Sequence, residues 1–279
     1  LQRFAGYSLT ASAREHCLAF LHGPGGNGKG VFLLTLRSVL GDYAAKAPRG
    51  LLTATRGGDK HPTELMTLRG ARLVWCSEVS ETDVWDEAKV KDLASEDPIT
   101  AHFMRCDDVT FMPTHKLWIA GNHRPRVRGS DDGIWRRLRL VPFDVTITEA
   151  EKAAELTTKL LEELPGILAW AARGCLDWQK HGLGTPAAVK VATTAYRDSE
   201  NTIGRFVADA CRVGTEEAVR TSDLYKAFVA WCEDEGEGKA VSQKRFGGEL
   251  SRGGFTPGRE KDGRRERVWK GLRLLKCGE

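Results

Sequence analysis

Residues Gly23 to Lys29 read G-P-G-G-N-G-K and fit the spacing G-x-x-x-x-G-K. Such a stretch can hold a triphosphate. Glycines let successive backbone N–H groups wrap phosphate oxygens with no Cβ in the way. A helix that follows points its positive end at the same anion, and Lys29 would reach the β- and γ-phosphates as a point charge. Gly25, Gly26, Asn27, Gly28, Lys29, Gly30 and Val31 are therefore the candidate nucleotide contacts. Gly30 stands where a Ser or Thr hydroxyl would ligate Mg2+ directly. The plainer reading is a glycine turn with an incidental lysine. The flanks argue against it, because an apolar strand-like run precedes the loop and an apolar helical run follows it.

Hydrolysis asks for acidic and amide groups at the ends of neighbouring strands. Glu78 directly follows the apolar run Arg72–Ser77 and is the candidate to hold Mg2+ and activate water. Glu81 is held in reserve, and Ser77 occupies the place where an aspartate usually precedes the glutamate. Asn122 follows the run Leu117–Ala120, where its amide could orient the attacking water. Trp135-Arg136-Arg137 precede the last apolar run, and one of the two guanidinium groups could be delivered to a neighbouring subunit's nucleotide. Surface carboxylates, a turn asparagine and ordinary salt bridges are the plain alternatives for these three sites.

The elements that would position these groups follow from pattern. Cys17 to His22 reads as a buried strand and Gly23 to Gly30 as a loop, since five of those eight residues are glycine. Val31 to Leu40 reads as a helix stopped by Gly41. Further strands are expected at Arg72–Ser77, Leu117–Ala120 and Leu138–Val145, with a short helix at Ala88–Ala94. A hairpin is expected from Ile99–Arg105 and Val109–Pro113 around the polar Cys106-Asp107-Asp108. Thr148 with Glu151 has the form of a capping box opening a helix toward Leu164. Helices are also expected at Ile167–Gln179 and Ala187–Asp198. Strands alternating with helices make the core α/β.

The last block has a different character. Asp223–Cys232 and Gln243–Leu250 read as helices, and Phe255–Leu275 as a basic hairpin, the outline of a winged helix. From residue 239 to 279 there are 12 Lys/Arg against 5 Asp/Glu, a local +7, while the whole chain carries +4 and the remainder therefore −3. A basic module on a mildly acidic body fits a polyanion partner. The domains are thus expected at 1–200 and 201–279. No apolar run approaches the ~20 residues of a membrane span. Seven scattered cysteines with no C-x-x-C pair indicate free thiols rather than zinc or disulfides, and no signal peptide is visible. Both point to a cytoplasmic protein. The chain does not begin with Met, so a fragment of something longer is expected.

With these pieces in order, the sequence resembles the superfamily 3 helicases, and within them the phage and plasmid primase-helicase family related to poxvirus primase-helicases. The stretches that carry the resemblance are Leu1-Gln2-Arg3-Phe4-Ala5-Gly6-Tyr7, Gly25 to Phe32 and Leu73 to Glu78. To these are added Lys91-Asp92-Leu93 with Asp97 to Ala101, Lys116 to Asn122, and Asp132 to Arg137 with Val141-Pro142-Phe143. The resemblance implies an AAA+-like P-loop NTPase core with a C-terminal winged-helix domain. It implies an ATP- and Mg2+-dependent DNA helicase of a phage, plasmid or other mobile element, moving on single-stranded DNA as a homo-hexamer. Lys29 would be Walker A, Glu78 Walker B, Asn122 sensor 1 and Arg137 the arginine finger. The hairpin would enter the ring channel, with Lys91, His102 and Arg105 on DNA. In the winged helix, Lys244 and Arg245 would open the recognition helix over duplex origin DNA, while Arg264 and Arg265 would lie along phosphate in the wing; docking a protein partner is the other reading of this module. An upstream primase domain or other replication proteins are the implied partners, and nothing in this chain resembles a primase. The alternatives are an ATP-binding, DNA-binding loader or regulatory module without unwinding activity, and a small-molecule P-loop kinase.

Overall fold

The computed structural model describes residues 1–54, 62–77, 80, 82–127, 132–237, 240–259 and 266–275. The chain divides into two compact units, Leu1–Tyr196 and Arg197–Glu279.

The first unit opens with α1 (Gln2–Tyr7), β1 (Leu18–His22), α2 (Lys29–Leu40) and β2 (Ala44–Lys46). It continues with β3 (Leu73–Ser77), α3 (Glu87–Leu93) and a hairpin of β4 (Ile99–Ala101) and β5 (Val109–Phe111). Then come β6 (Lys116–Gly121), α4 (Asp132–Arg137), β7 (Leu138–Pro142), α5 (Leu156–Glu162) and α6 (Leu164–His181). Helix α7 (Ala187–Glu200) ends it, its residues up to Tyr196 belonging to this unit.

Five strands form one parallel sheet in the order β2-β3-β6-β1-β7. Both faces are covered, which is why β1 and β6 read as unbroken apolar runs rather than alternating ones. Leu18, Phe20, Val74, Leu117, Ile119, Leu138 and Leu140 point to one side, where Trp85, Val90, Leu93, Ile134, Trp135 and Tyr196 pack. Ala19, Leu21, Leu73 and Trp118 point to the other, against Phe4, Tyr7, Leu33, Leu36, Ala171 and Trp178. On that second side α1 and α6 touch through glycines. A Cβ on Gly6 would lie 2.1 Å from the Cys175 backbone N, and one on Gly174 would lie 2.2 Å from the Gln2 carbonyl oxygen. The fully buried Trp118 donates its indole N–H to Ser8 Oγ at 3.0 Å, whereas the buried indole N–H of Trp75, packed against the same cluster, has no partner.

The second unit contains α8 (Thr202–Ala210), β8 (Cys211–Arg220), α9 (Thr221–Asp234), α10 (Gln243–Arg252), β9 (Thr256–Arg259) and β10 (Arg267–Leu274). Its strands form an antiparallel sheet ordered β8-β10-β9. Phe206, Leu224, Phe228, Phe246, Leu250, Trp269 and Leu272 make its core, with Phe228 and Phe246 stacked at 4.6 Å. Among the described residues no helix is long and apolar enough to cross a membrane.

Three expectations need correction. The loop ends at Gly28 rather than Gly30, because Lys29 and Gly30 already form the first turn of α2. The capping pair at Thr148 and Glu151 does form, with Glu151 Oε2 accepting from the Thr148 N–H at 3.0 Å and the Thr148 hydroxyl at 2.8 Å. It closes a turn only, and the helix begins at Leu156. Residues 149 to 155 are all exposed and offer no apolar face for a helix to bury. The expected strand Leu138–Val145 stops at Pro142, and residues 143–147 leave the sheet to run along the glycine loop.

Candidate functional site

In a parallel sheet, ligands bind beyond the carboxyl ends of the strands, where the strand order reverses. Here the chain leaves β1 for the distant β2, works back through β3 and β6, and then places β7 on the far side of β1. The carboxyl end of β1 is therefore the switch point, and the glycine loop starts there.

The loop's shape is set by its glycines. Gly26 has φ +68° and Gly28 φ +84°, values that L-residues other than glycine avoid. Gly23 has no room for a side chain, since a Cβ would lie 2.1 Å from the Phe143 carbonyl oxygen. Lys29 turns back into the loop and is 6% exposed. Its ammonium donates to the carbonyls of Gly23 at 2.7 Å and Pro24 at 2.8 Å and to Asn27 Oδ1 at 2.9 Å, which uses all three of its protons. Burial lowers the Lys29 pKa from its ordinary value. Asn27 also donates from Nδ2 to the Phe143 carbonyl at 2.7 Å, so one buried carboxamide ties the lysine to the segment after β7.

Asn122 lies just past the end of β6, next to β1, and is exposed. Its loop is anchored from far along the chain. The buried Tyr196 of α7 donates to the Pro125 carbonyl and accepts from Trp85 Nε1 at 2.9 Å, while the Arg124 guanidinium lies over its ring at 5.5 Å. Sequence reasoning missed His22, the last residue of β1. Its pKa is lowered, first by burial and then by Arg124 and Lys29, with Asp144 and a hydrogen bond to the Asn122 backbone opposing. The signal that could have found it is its place directly before the loop. The structure thus gathers Lys29, His22, Asn122 and Arg124 around one point at the end of β1.

Arg137 is not part of that gathering. It ends α4 and precedes β7, whose Leu138 is level with Leu18 at the start of β1. It therefore sits at the opposite edge of the sheet from the loop, about 16 Å away along a five-residue strand. Arg137 is half-buried, its Nη1 donating to the Gly133 carbonyl at 3.0 Å and its buried Nε without a partner, while Arg136 is exposed.

Glu78 and Glu81 lie outside the described residues, as do Arg264 and Arg265. A triphosphate fits the loop: positive-φ glycines, an ammonium turned inward and a helix start are all present. For Mg2+ the described residues offer less. Gly30 has no hydroxyl, and no group of three His, Cys, Asp or Glu is placed to hold a metal among the described residues.

The candidate DNA contacts fall in separate places. Lys91 is half-buried in α3. His102 and Arg105 lie in the loop between β4 and β5, where His102 Nδ1 meets Asp108 Oδ1 at 2.9 Å and Arg105 adopts φ +62°. Phe103 and Met104 are exposed at the same tip. Lys244 and Arg245 are exposed in the first turn of α10, whose Phe246 and Leu250 are buried.

Residues 21–137 match a family described as "Family of unknown function (DUF5906)", and residues 198–274 match one described as "Poxvirus D5 protein-like". The chain is 28% identical over 259 residues to a protein of Acanthamoeba polyphaga mimivirus named a putative helicase, covering 85% of this chain and 27% of that protein. It is 25% identical over 248 residues to another so named in Frog virus 3, covering 82% of this chain and 26% of that protein. The chain thus spans about a quarter of the length of these curated relatives. Among solved structures, the A form apo structure of the NrS-1 C-terminal region superposes with a TM-score of 0.54 at 12% identity, over 98% of this chain and 70% of that one. A second apo structure of that region gives 0.53 at 13%, over 96% and 71%. The fold is shared with these structures, and the sequence is similar to viral proteins named putative helicases and, over residues 198–274, to the poxvirus D5 protein-like family.

Proposed function

We propose that this chain is the ATP-driven motor of a replication helicase, a P-loop ATPase core joined to a winged-helix DNA-binding module. The observation that carries the reading is the strand–glycine loop–helix unit at the switch point of a parallel sheet, with Lys29 turned into the loop and Asn122 just past the end of the adjacent strand. The similarity to viral proteins named helicases supports the same class. ATP with Mg2+ is the proposed cofactor pair, Glu78 the proposed metal and water ligand, and Asn122 the group that orients the water.

Arg137 cannot serve the loop of its own chain, because a sheet's length separates them. We assign it to a neighbouring copy in a ring, the proposed assembly being a homo-hexamer on single-stranded DNA. The β4–β5 loop, with His102 and Arg105 beside exposed Phe103 and Met104, combines a guanidinium and an imidazole with exposed apolar groups, as single-strand contacts do. In the second unit, Lys244 and Arg245 stand in the first turn of α10, which holds no acidic residue. Cations there oppose the helix dipole at a cost of about 0.3–1 kcal/mol each. A phosphate backbone would repay that cost, which supports duplex DNA as the partner of this unit.

The test is ATP hydrolysis by the wild type and Lys29→Ala, with and without single-stranded DNA, at several protein concentrations. The motor predicts hydrolysis that needs Lys29, rises with DNA and rises steeply with concentration. A second reading, a loader or regulatory module that binds ATP without unwinding, is favoured by Gly30. Tight ATP binding with no hydrolysis in any condition would select it.

A further inference from the structure

Residues Phe143 to Ile147 belong to no helix or strand, yet they lie along the glycine loop. The Phe143 N–H donates to the His22 carbonyl at 2.7 Å, and its own carbonyl accepts from Asn27. The Ile147 N–H donates to the Gly26 carbonyl at 2.8 Å. Thr146 Cγ2 would lie 3.7 Å from a Cβ on Gly26, and Ile147 Cδ1 3.8 Å from one on Gly28. Two methyl groups thus stand at van der Waals distance beyond the glycines. Beside them Val145 is 79% exposed, more than any other large hydrophobic residue among the described ones.

The two flanks of the loop therefore differ in chemistry. On the β6 flank are Asn122, Arg124 and the His22 ring, all polar or cationic. On the β7 flank the segment begins with the exposed carboxylate of Asp144, near His22, and past it Val145, Thr146 and Ile147 present methyl groups, with the Thr146 hydroxyl the one polar side-chain group among those three. A nucleoside triphosphate has the same polarity along its length, a charged phosphate end and a flat, weakly polar base. Lys29 and Asn122 draw the terminal phosphate toward β6, which leaves the base toward β7.

We propose that Val145, Thr146 and Ile147 form the wall against which the nucleobase lies. The assignment rests on the nucleotide-binding reading and names which end of the nucleotide each flank takes. An apolar wall contributes by area, so purine triphosphates bind more tightly than pyrimidine ones. It also makes the base separable from the phosphates. Inorganic tripolyphosphate occupies the loop without touching the wall.

The experiment is calorimetric titration of the full chain with ATP and, separately, with tripolyphosphate, both with Mg2+. Val145→Ser changes a side chain that already faces solvent, so folding is not at stake, and Ile147→Ala tests the half-buried neighbour. Each is expected to weaken ATP about tenfold and to leave tripolyphosphate affinity at the wild-type value. Unchanged ATP affinity in both variants overturns the wall. Equal loss of ATP and tripolyphosphate overturns it too, because the segment would then act on the loop and not on the base. Failure of the wild type to bind either ligand overturns the nucleotide site, and the wall with it.

Discussion

Asn27 gives the most demanding prediction, since removing it should tighten ATP binding. The Lys29 ammonium spends its three protons on Gly23, Pro24 and Asn27. Phosphate oxygens must compete with those acceptors for the same protons. A hydrogen bond to a charged group contributes about 1.5–3 kcal/mol net. Asn27→Ala leaves the two carbonyls in place, so the low end applies, about 1.5 kcal/mol. This is lost when the lysine faces its own loop and not when it faces phosphate. The difference appears as roughly tenfold tighter ATP. The Asn27 bond to Phe143 goes as well, but in both states, and cancels to first order. Asn27→Asp should act the other way. It keeps the acceptor, holds the ammonium more strongly and repels the phosphates, for a loss of about tenfold or more. Titration with a non-hydrolysable ATP analogue and Mg2+ reads both. Unchanged or weaker binding in Asn27→Ala would show that Asn27 does not compete with phosphate for the lysine, and the reasoning would fail.

Other outcomes rest on the same structure. Arg137→Ala should abolish hydrolysis and leave ATP affinity unchanged, read by turnover and titration on one preparation; lost affinity would mean that the residue acts within its own chain. Gly6→Ala should cost about 3 kcal/mol, since the new methyl meets backbone that cannot yield, lowering the melting temperature of the first unit by roughly 6–12 °C. Lys116 sits buried over the Tyr7 ring and donates to the Thr10 and Thr114 carbonyls. Burial, with Arg72 nearby, lowers its pKa from 10.5 to about 7. Between those values the unfolded chain holds a proton that the folded chain lacks, so stability rises with pH across that window and is flat below it. Urea midpoints at pH 7 and pH 9 should show the rise in the wild type and a smaller one in Lys116→Met.

The sequence disclosed the parts of this site that are local. A glycine loop between two apolar runs is legible because φ, packing and charge all act within about ten residues; Lys29 stands at the helix start and Asn122 past the strand end that those runs define. The central strands were legible for the same reason, being apolar without a break. What escaped was either short or assembled from afar. Strand β2 is three residues, Ala-Ala-Lys, with no pattern to show. Strand β8 carries Thr215, Glu216 and two Arg among its exposed positions and does not read as sheet. Helix α4 and strand β7 join at Arg137, and only the pairing of Leu18 with Leu138 reveals which edge that arginine occupies. The wall after β7 and the Tyr196 anchor come from more than 115 and 165 residues beyond the loop's start. No spacing rule links them to it. Glu78, Arg264 and Arg265, legible as candidates, lie outside the described residues.

The place of β1 in the middle of the sheet has a consequence for how the chain is made. Its two neighbours are synthesised long after it: Ala19 pairs with Trp118, and Leu18 with Leu138. At about 5–20 residues per second, a ribosome needs roughly 5–20 s to supply the first of these partners. Through that interval Leu-Ala-Phe-Leu, destined for full burial, stays unpaired on a nascent chain. Few of the sheet's contacts can form early, and the last strand to emerge closes one side of the first. Yield in the cell is therefore governed by what shields this segment during translation, and slower growth or a holding chaperone should recover folded protein that stabilising the finished fold would not.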